Sequence, residues 1–178
     1  YFDFYGGIDF RYYKGLHKNV ITDLFGGQYY VDSYNRKSVL AENSVNGGVT
    51  SWVNQKLGVG DVIRRDYDGF VMYEGGFAQL EYNKDKVSAF VSGGLTNTSY
   101  WRKDRFYYSG DKQLSSKKHY LGGNVKAGLN YNLDDYNNVF FNTGFISRAP
   151  IFDNTFINSQ SSHERNPDAK NEKVYSFE

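Results

Sequence analysis

The sequence predicts an all-β protein with antiparallel strands, and three features favour that fold class. Several stretches alternate between apolar and polar side chains, which is the period of a strand. Aromatic residues make up 19% of the chain although its mean hydropathy is only -0.67, as expected if large apolar side chains occupy one face of each strand. No segment approaches the run of about 18 apolar residues that a membrane helix needs, whereas a membrane-spanning β-strand gives a weaker signal and is not excluded.

Six segments carry the alternation. The predicted strands are 1–13, 70–82, 87–100, 120–133, 139–148 and the start of a sixth at 173–178. In the clearest of them, Leu121 and Val125 lie on one face, and Asn124 and Lys126 lie on the other. The parity slips at 77–79 in the second strand, so a β-bulge is expected there.

The connections between these strands alternate between short and long. Residues 83–86 and 134–138 form short polar turns, whereas 14–69, 103–117 and 149–171 are long. Unstructured loops of more than about 12–15 residues are uncommon in compact soluble domains. Bacterial outer-membrane barrels combine short periplasmic turns with long outer loops, and they need about eight strands or more. The pattern therefore predicts one internal segment, residues 1–178, of a larger transmembrane β-barrel domain.

Glycine pairs form a second, weaker pattern. They occur inside four predicted strands, as Gly6-Gly7, Gly75-Gly76, Gly93-Gly94 and Gly122-Gly123. Glycine weakens a strand interior unless a bend or a close approach of two backbones requires it, and barrel curvature is one such requirement. Chance in a glycine-rich chain is the alternative.

Composition and motifs argue against several classes of function. There is no cysteine, and the net charge is +1, so disulfide scaffolds, thiolate chemistry and a basic nucleic-acid surface are not expected. The histidines, His17, His119 and His163, do not have the spacing of metal ligands. The nucleophile motif Gly-x-Ser-x-Gly does not occur. We therefore expect no enzyme activity, no cofactor, no metal site and no nucleic-acid partner.

Two neighbouring motifs resemble the barrel region of TonB-dependent receptors. The run TGFISRAP at 143–150 is similar to the Arg-Ala-Pro element that ends one strand in that family, and NPDAKNE at 166–172 is similar to the Asn-Pro-x-x-Lys-x-Glu element that begins the next. Ala169 stands where the family more often has Leu. Segments 7–13, 22–30, 76–82 and 126–132 resemble the Bacteroidota branch, so the resemblance covers nearly the whole chain.

The resemblance implies an outer-membrane barrel of about 22 strands with an N-terminal plug. Such a receptor imports a scarce ligand, of the siderophore, haem, vitamin, glycan or peptide class, with energy from the TonB complex. The implied partners are outer-membrane lipid, the receptor's own plug, the TonB complex and the nutrient ligand. The plug domain is not in this sequence.

A polar barrel lumen provides candidate functional residues. Side chains that could face the plug or the ligand are Asp3, Asp9, Arg11, Asn124, Lys126 and Arg148. Alternatively, these six side chains are only solvated or paired with charges on neighbouring strands. Aromatic residues near the strand ends, among them Tyr12 and Trp101, suit the interfacial girdles of a membrane barrel. Two other functions stay open: a different outer-membrane barrel, such as an adhesin, an enzyme or a passive porin, and a soluble all-β binding module.

Overall fold

The computed structural model describes residues 1–33 and 55–178, and its main element is one six-stranded antiparallel sheet. Each strand pairs with the next along the chain. The strands are β1 (Phe2–Val20), β2 (Val62–Lys84), β3 (Val87–Asp104), β4 (Lys118–Asn132), β5 (Asn138–Arg148) and β6 (Glu172–Phe177). A 3₁₀ turn (Gly110–Gln113) and a one-turn helix, α1 (Phe152–Thr155), lie in the connections. The predicted all-β class and antiparallel strand order are confirmed. Among the described residues, no helix has the length and hydropathy of a transmembrane segment.

The sheet is open within the described residues, with β1 and β6 as its two edges. The two short turns, at 85–86 and 133–137, and the long connections at 105–117 and 149–171 lie within about two residues of their predicted bounds. In the second short turn, the Asp134 carboxylate accepts hydrogen bonds from the backbone N–H groups of Tyr136 and Asn137. This contact satisfies backbone donors that the turn leaves unpaired.

The predicted first long connection, 14–69, is too long. β1 continues to Val20 and β2 begins at Val62, so only 21–61 lie between the two strands. The added strand residues have polar side chains on both faces, for example Lys14, His17 and Lys18, and no apolar alternation reveals them. Backbone pairing from Lys14↔Phe70 to Lys18↔Asp66 holds them in the sheet.

The predicted bulge at 77–79 is also wrong. Pairing is regular there, since Gly7 faces Phe77 and Gly6 faces Ala78, and the register shifts instead between Lys18 and Val20. The apparent slip in parity arises because Phe77, a large aromatic residue, lies on the polar face of the sheet. A β-carbon added at Gly7 would lie 2.9 Å from the Phe77 ring. Glycine therefore makes room for the ring without interrupting the ladder.

Direct cross-strand partners share a face of the sheet, and the register sorts the side chains into two faces. The apolar face carries Phe2, Phe4, Ile8, Phe10, Leu80, Val91, Leu95, Leu121, Val125, Leu129, Phe141, Tyr175 and Phe177. All of these side chains are exposed, Ile8 and Leu121 to 93% and 80%. The polar face carries Gln79, Glu81, Ser92, Thr96, Asn130 and Asn142 and, with them, a few aromatic residues.

The larger of two buried hydrophobic clusters among the described residues lies at the long-loop end of the sheet, on its polar face. Tyr100 and Tyr120, on β3 and β4, pack with Phe156 and Ala169 from the connection between β5 and β6. Phe152 of α1 joins them, edge-on to the Tyr100 ring. The connection at 149–171 therefore folds over the polar face, and no described residue covers the apolar face.

Candidate functional site on the polar face

All six predicted lumen residues lie on the polar face. Across the strands, Asp3 faces Glu81, Asp9 faces Gly75, Arg11 faces Tyr73, Asn124 faces Gly94, Lys126 faces Ser92, and Arg148 faces Glu172. They share the face without forming one site. Asp3 is near the short turns, whereas Arg148 is at the end of β5 that leads into the long connection.

Within the described part of the chain, three of the six, Asp9, Arg11 and Arg148, form ion pairs, and both pairs are exposed. Arg11 lies 3.4 Å from Asp9, and Arg148 lies 2.6 Å from Glu172. Solvent-exposed pairs of this kind contribute about 0–1 kcal/mol. Their side chains can therefore exchange partners at little cost when another polar surface approaches.

A hollow of about 550 Å³ lies on the polar face near the short turns. Its lining mixes aromatic rings with amide and carboxylate groups: Gln79, Glu81, Phe90, Asn130, Phe140 and Asn142. Gly128 forms part of the floor, and a β-carbon there would overlap the Phe90 ring and the side-chain oxygen of Asn142. The hollow offers hydrogen-bonding groups beside apolar surface, which suits a polar ligand or a protein loop.

One of the glycine pairs shows why such residues occur inside strands. A β-carbon at Gly122 would lie 2.5 Å from the carbonyl oxygen of Ser147, and one at Gly123 would lie 2.5 Å from that of Gly94. Both distances are far below van der Waals contact. Close backbone approach, one of the two predicted reasons for these pairs, is confirmed at this position.

A buried arginine fastens the long connection to the polar face. Arg102, at the end of β3, is 0% exposed. Its guanidinium donates hydrogen bonds to the backbone carbonyls of Asn158 at 3.3 Å and Ser162 at 2.9 Å. It also lies over the ring of Tyr67 at 4.4 Å. The side chain thus ties β2, β3 and the connection between β5 and β6 together.

Asp104 balances the charge of this arginine. Its carboxylate is also 0% exposed, forms an ion pair with the Arg102 guanidinium, and accepts the backbone N–H groups of Phe106 and Tyr107, each at 2.8 Å. A buried ion pair of this kind is a weak source of net stability, but removing one partner leaves an uncompensated charge. Arg102 and Asp104 therefore make the position of the connection specific.

A second charged cluster lies at the same end of the sheet, where the register puts Lys14 and Asp68 on the side of the apolar face. Arg105 donates to both carboxylate oxygens of Asp68, at 3.1 and 2.6 Å, and to Asp66 at 2.7 Å. The hydrogen bonds that Arg105 donates to Asp68 and Asp66 raise its pKa above the ordinary value. Lys14 adds a further contact with Asp68, at 3.1 Å. These pairs bind the start of the connection after β3 to the ends of β1 and β2.

His163 joins the two long connections. Its ring stacks on Tyr108 with 3.7 Å between centroids, and Nε2 lies 3.0 and 3.1 Å from the carbonyl oxygens of Lys112 and Gln113. Nε2 is therefore the protonated nitrogen, and Nδ1 is buried without a hydrogen-bond partner among the described residues. Burial, aided by the positive charge of Arg102, lowers the pKa of His163 to about 4.

The other two histidines lie apart from His163. His17 stacks on Tyr67, and the Nδ1 atom of His119 lies 2.9 Å from the Ser99 hydroxyl. Within residues 1–33 and 55–178, no three His, Asp or Glu side chains are grouped so as to hold a metal ion.

Sequence reasoning missed Arg102, Asp104 and His163. Arg102 and Asp104 are two residues apart in a strand, and this spacing could have placed both on the polar face. The residues that bury them are distant in sequence, in a connection without periodicity, and could not be assigned. No family model, curated protein or solved structure gives a significant match to this chain.

Proposed function

We propose that this chain forms part of the wall of an outer-membrane β-barrel that imports a scarce ligand, of the TonB-dependent receptor type. One observation carries the membrane part of the proposal. The connection between β5 and β6 packs on the polar face of the sheet at its long-loop end, whereas the apolar side chains from Phe2 to Phe10 on β1 and from Leu121 to Leu129 on β4 are exposed.

This arrangement is the reverse of what a sheet in water requires. A water-soluble antiparallel sheet packs its apolar face on a core and exposes its polar face. Burial of apolar surface contributes about 25 cal/mol per Å², so exposed residues such as Leu121, Val125 and Leu129 forgo a large stabilisation in water. Contact of the apolar face with lipid hydrocarbon would supply this stabilisation, and a water-filled lumen would solvate the polar face.

The length of the apolar segments supports the same environment. Large or small apolar side chains occupy the apolar face of β1 at 2–12 and of β4 at 121–131, and polar Lys14 and His119 follow at their long-loop ends. Each segment has the length of about 9–11 residues with which a tilted strand crosses a bilayer. Glu74 and Asn97 interrupt the apolar face on β2 and β3, and they hydrogen-bond to each other at 3.2 Å.

Import rests on the family resemblance together with the polar face. In a barrel, that face lines the lumen, where Asp3, Asp9, Arg11, Asn124, Lys126 and Arg148 would meet a plug or a polar ligand. A hollow flanked by amides and rings adds a surface on which either could rest. The barrel of about 22 strands, the plug and the TonB complex all belong to this proposal.

Cysteine labelling on intact cells tests the orientation. A cysteine at Lys84, at the end of β2 beside the short turn, should be protected from a membrane-impermeant maleimide. A cysteine at Asp111, exposed in the 3₁₀ turn between β3 and β4, should react. Lysis should make both reactive. Equal rates at the two positions on intact cells would contradict the membrane topology.

Growth experiments test the import itself. Loss of this protein and loss of TonB should produce the same growth defect when one class of scarce nutrient is supplied as the only source. A defect that appears without this protein but not without TonB would favour another type of outer-membrane barrel.

A further inference from the structure

Three aromatic rings form a cluster at the long-loop end of the apolar face. Phe70 and Trp101 are stacked, with 5.2 Å between centroids and 5° between planes. Tyr12 lies 6.1 Å from Trp101 and 6.4 Å from Phe70. The rings come from β1, β2 and β3 and lie beyond the polar pair Glu74 and Asn97, on the side of the long connections.

Two lysines lie over these rings, and a third follows on the same face of β3. Lys117 places its Nζ atom 4.6 Å from the Trp101 ring centre, and Lys14 places its Nζ atom 5.6 Å from that of Phe70. Lys103 follows Trp101 by two residues on the same face of β3, and it is exposed. We name the three rings and three lysines the lysine–aromatic cluster.

The lysines differ in how far their charge is compensated. Lys14 pairs with Asp68, which also binds Arg105. Lys103 and Lys117 form no ion pair with any described residue. His119 and Glu74 also lie on this face, and they hydrogen-bond to Ser99 and Asn97. Asp68 lies opposite Lys103 across β2 and β3, but its carboxylate is bound by Lys14 and Arg105. Lys103 and Lys117 therefore lie near the rings without an ion-pair partner among the described residues.

Aromatic rings and lysines prefer different layers of a membrane. Tyrosine and tryptophan are enriched at the boundary between hydrocarbon and headgroups. Lysines near that boundary extend into the headgroup layer, where anionic phosphates attract them. A cluster with rings toward the apolar segment and uncompensated ammonium groups beyond it matches a lipid that has acyl chains and a phosphate.

We propose that the lysine–aromatic cluster binds the phosphate-bearing headgroup of an anionic lipid in the outer leaflet. The rings pack on the lipid below the headgroup, and Lys103 and Lys117 bind the phosphate oxygens. This inference rests on the proposed membrane function and adds a lipid site to it.

Lipid titration of the intact purified protein tests the inference. The probes are lipid A, which carries phosphates on its sugar headgroup, and the same lipid with its phosphates removed. The test variant is Lys103→Gln/Lys117→Gln. The matched control, Lys84→Gln/Lys86→Gln, removes the same charge at the short-turn end. A third variant, Lys103→Arg/Lys117→Arg, keeps the charge.

The wild type should prefer phosphorylated lipid A, as measured by native mass spectrometry of the bound lipid. Loss of both lysines should weaken that binding on the order of tenfold or more, because each lysine near an anionic lipid surface adds to the binding free energy. The control and the arginine variant should bind as the wild type does. Equal binding by the glutamine variant, or equal binding of the two lipids, would overturn the lipid site. Competition by inorganic phosphate as strong as that by the lipid would overturn it as well, because the site would then recognise the free anion.

Insertion into neutral phosphatidylcholine vesicles separates this inference from the proposed function. Failure to insert would contradict both the proposed membrane function and the lipid site. Normal insertion without a preference for phosphorylated lipid would contradict the lipid site alone.

Discussion

The two ends of the sheet differ in how they exclude water. At the long-loop end, Arg102, Asp104 and Phe156 are 1% exposed or less. In the part that contains the short turns, no described residue within 1–14, 70–97 or 121–148 is buried. The chain therefore builds its own interior at one end, whereas the other end depends on its surroundings for any stabilisation by burial.

This difference predicts how substitutions act at each end of the sheet. Substitutions at the long-loop end act through contacts that the chain itself supplies, so their effects do not require a membrane. Substitutions near the short turns act through the medium that meets each face. Equal tolerance of a charged substitution on the two faces would contradict this difference between the ends. So would an unchanged stability when the loop contacts are removed.

The largest effect is expected at Arg102. Arg102→Ala leaves Asp104 as a buried charge without its partner, which costs about 3–5 kcal/mol. The connection at 149–171 should detach from the polar face and become sensitive to proteolysis. Arg148→Ala is the matched control, since it removes an arginine from an exposed pair with Glu172, for which the cost is about 0–1 kcal/mol. Equal protease sensitivity of the two variants would show that the buried pair does not fasten the connection.

The next effect separates the two faces at neighbouring positions. An arginine that faces lipid near the bilayer centre costs about 2–4 kcal/mol. Val125→Arg should therefore prevent assembly, whereas Asn124→Arg, on the polar face, should assemble normally. Heat-modifiable migration of the folded protein on gels measures assembly. If both variants assemble equally, the apolar face does not meet lipid, and a soluble sheet becomes the better explanation.

A smaller effect is expected at the hollow on the polar face. Gly128→Ala places a methyl group against Phe90 and Asn142, and such overpacking typically costs about 1–3 kcal/mol. The control is Gly76→Ala, where the nearest atom, the Gly7 carbonyl oxygen, is 3.7 Å from the new carbon. Chemical denaturation of the two refolded variants compares their stability. A loss at Gly76 as large as that at Gly128 would mean that strand propensity, and not the hollow, sets the cost.

The same two ends explain what the sequence could predict. Near the short turns, alternation of side chains identified β4 and β5 nearly to their ends, because successive side chains of a strand point to opposite faces and one face of this sheet is apolar. That alternation also placed Asn124 and Lys126 on the polar face. At the long-loop end, β1 runs on to Val20 through polar residues, and only backbone pairing with β2 reveals it.

The contacts of the long connections could not be predicted for a different reason. Arg102 meets carbonyls at Asn158 and Ser162, which lie more than fifty residues away in sequence. Backbone acceptors carry no residue signature, so no motif marks them. His163 likewise binds two carbonyls, and its stacking on Tyr108 depends on how two connections fold together.

The smallest expected effect is a pH dependence at His163. The imidazole is neutral when the connection is in place, because burial lowers its pKa to about 4, whereas a detached connection restores the ordinary value of about 6.5. The detached form therefore binds more protons between these values, and the contribution of His163 is fully present above pH 6.5 and is lost as the pH falls toward 4. Protease cleavage within 149–171 should be faster at about pH 5 than at about pH 7, with the change centred on histidine titration. His163→Gln should flatten this dependence. The protease's own response to pH is the same for both proteins, so the difference in cleavage rate between the wild type and His163→Gln reports on His163 alone. His119→Gln should keep the dependence of the wild type, since its ring contacts Ser99 and neither long connection. If His163→Gln and the wild type respond equally to pH, protonation of this ring does not detach the connection.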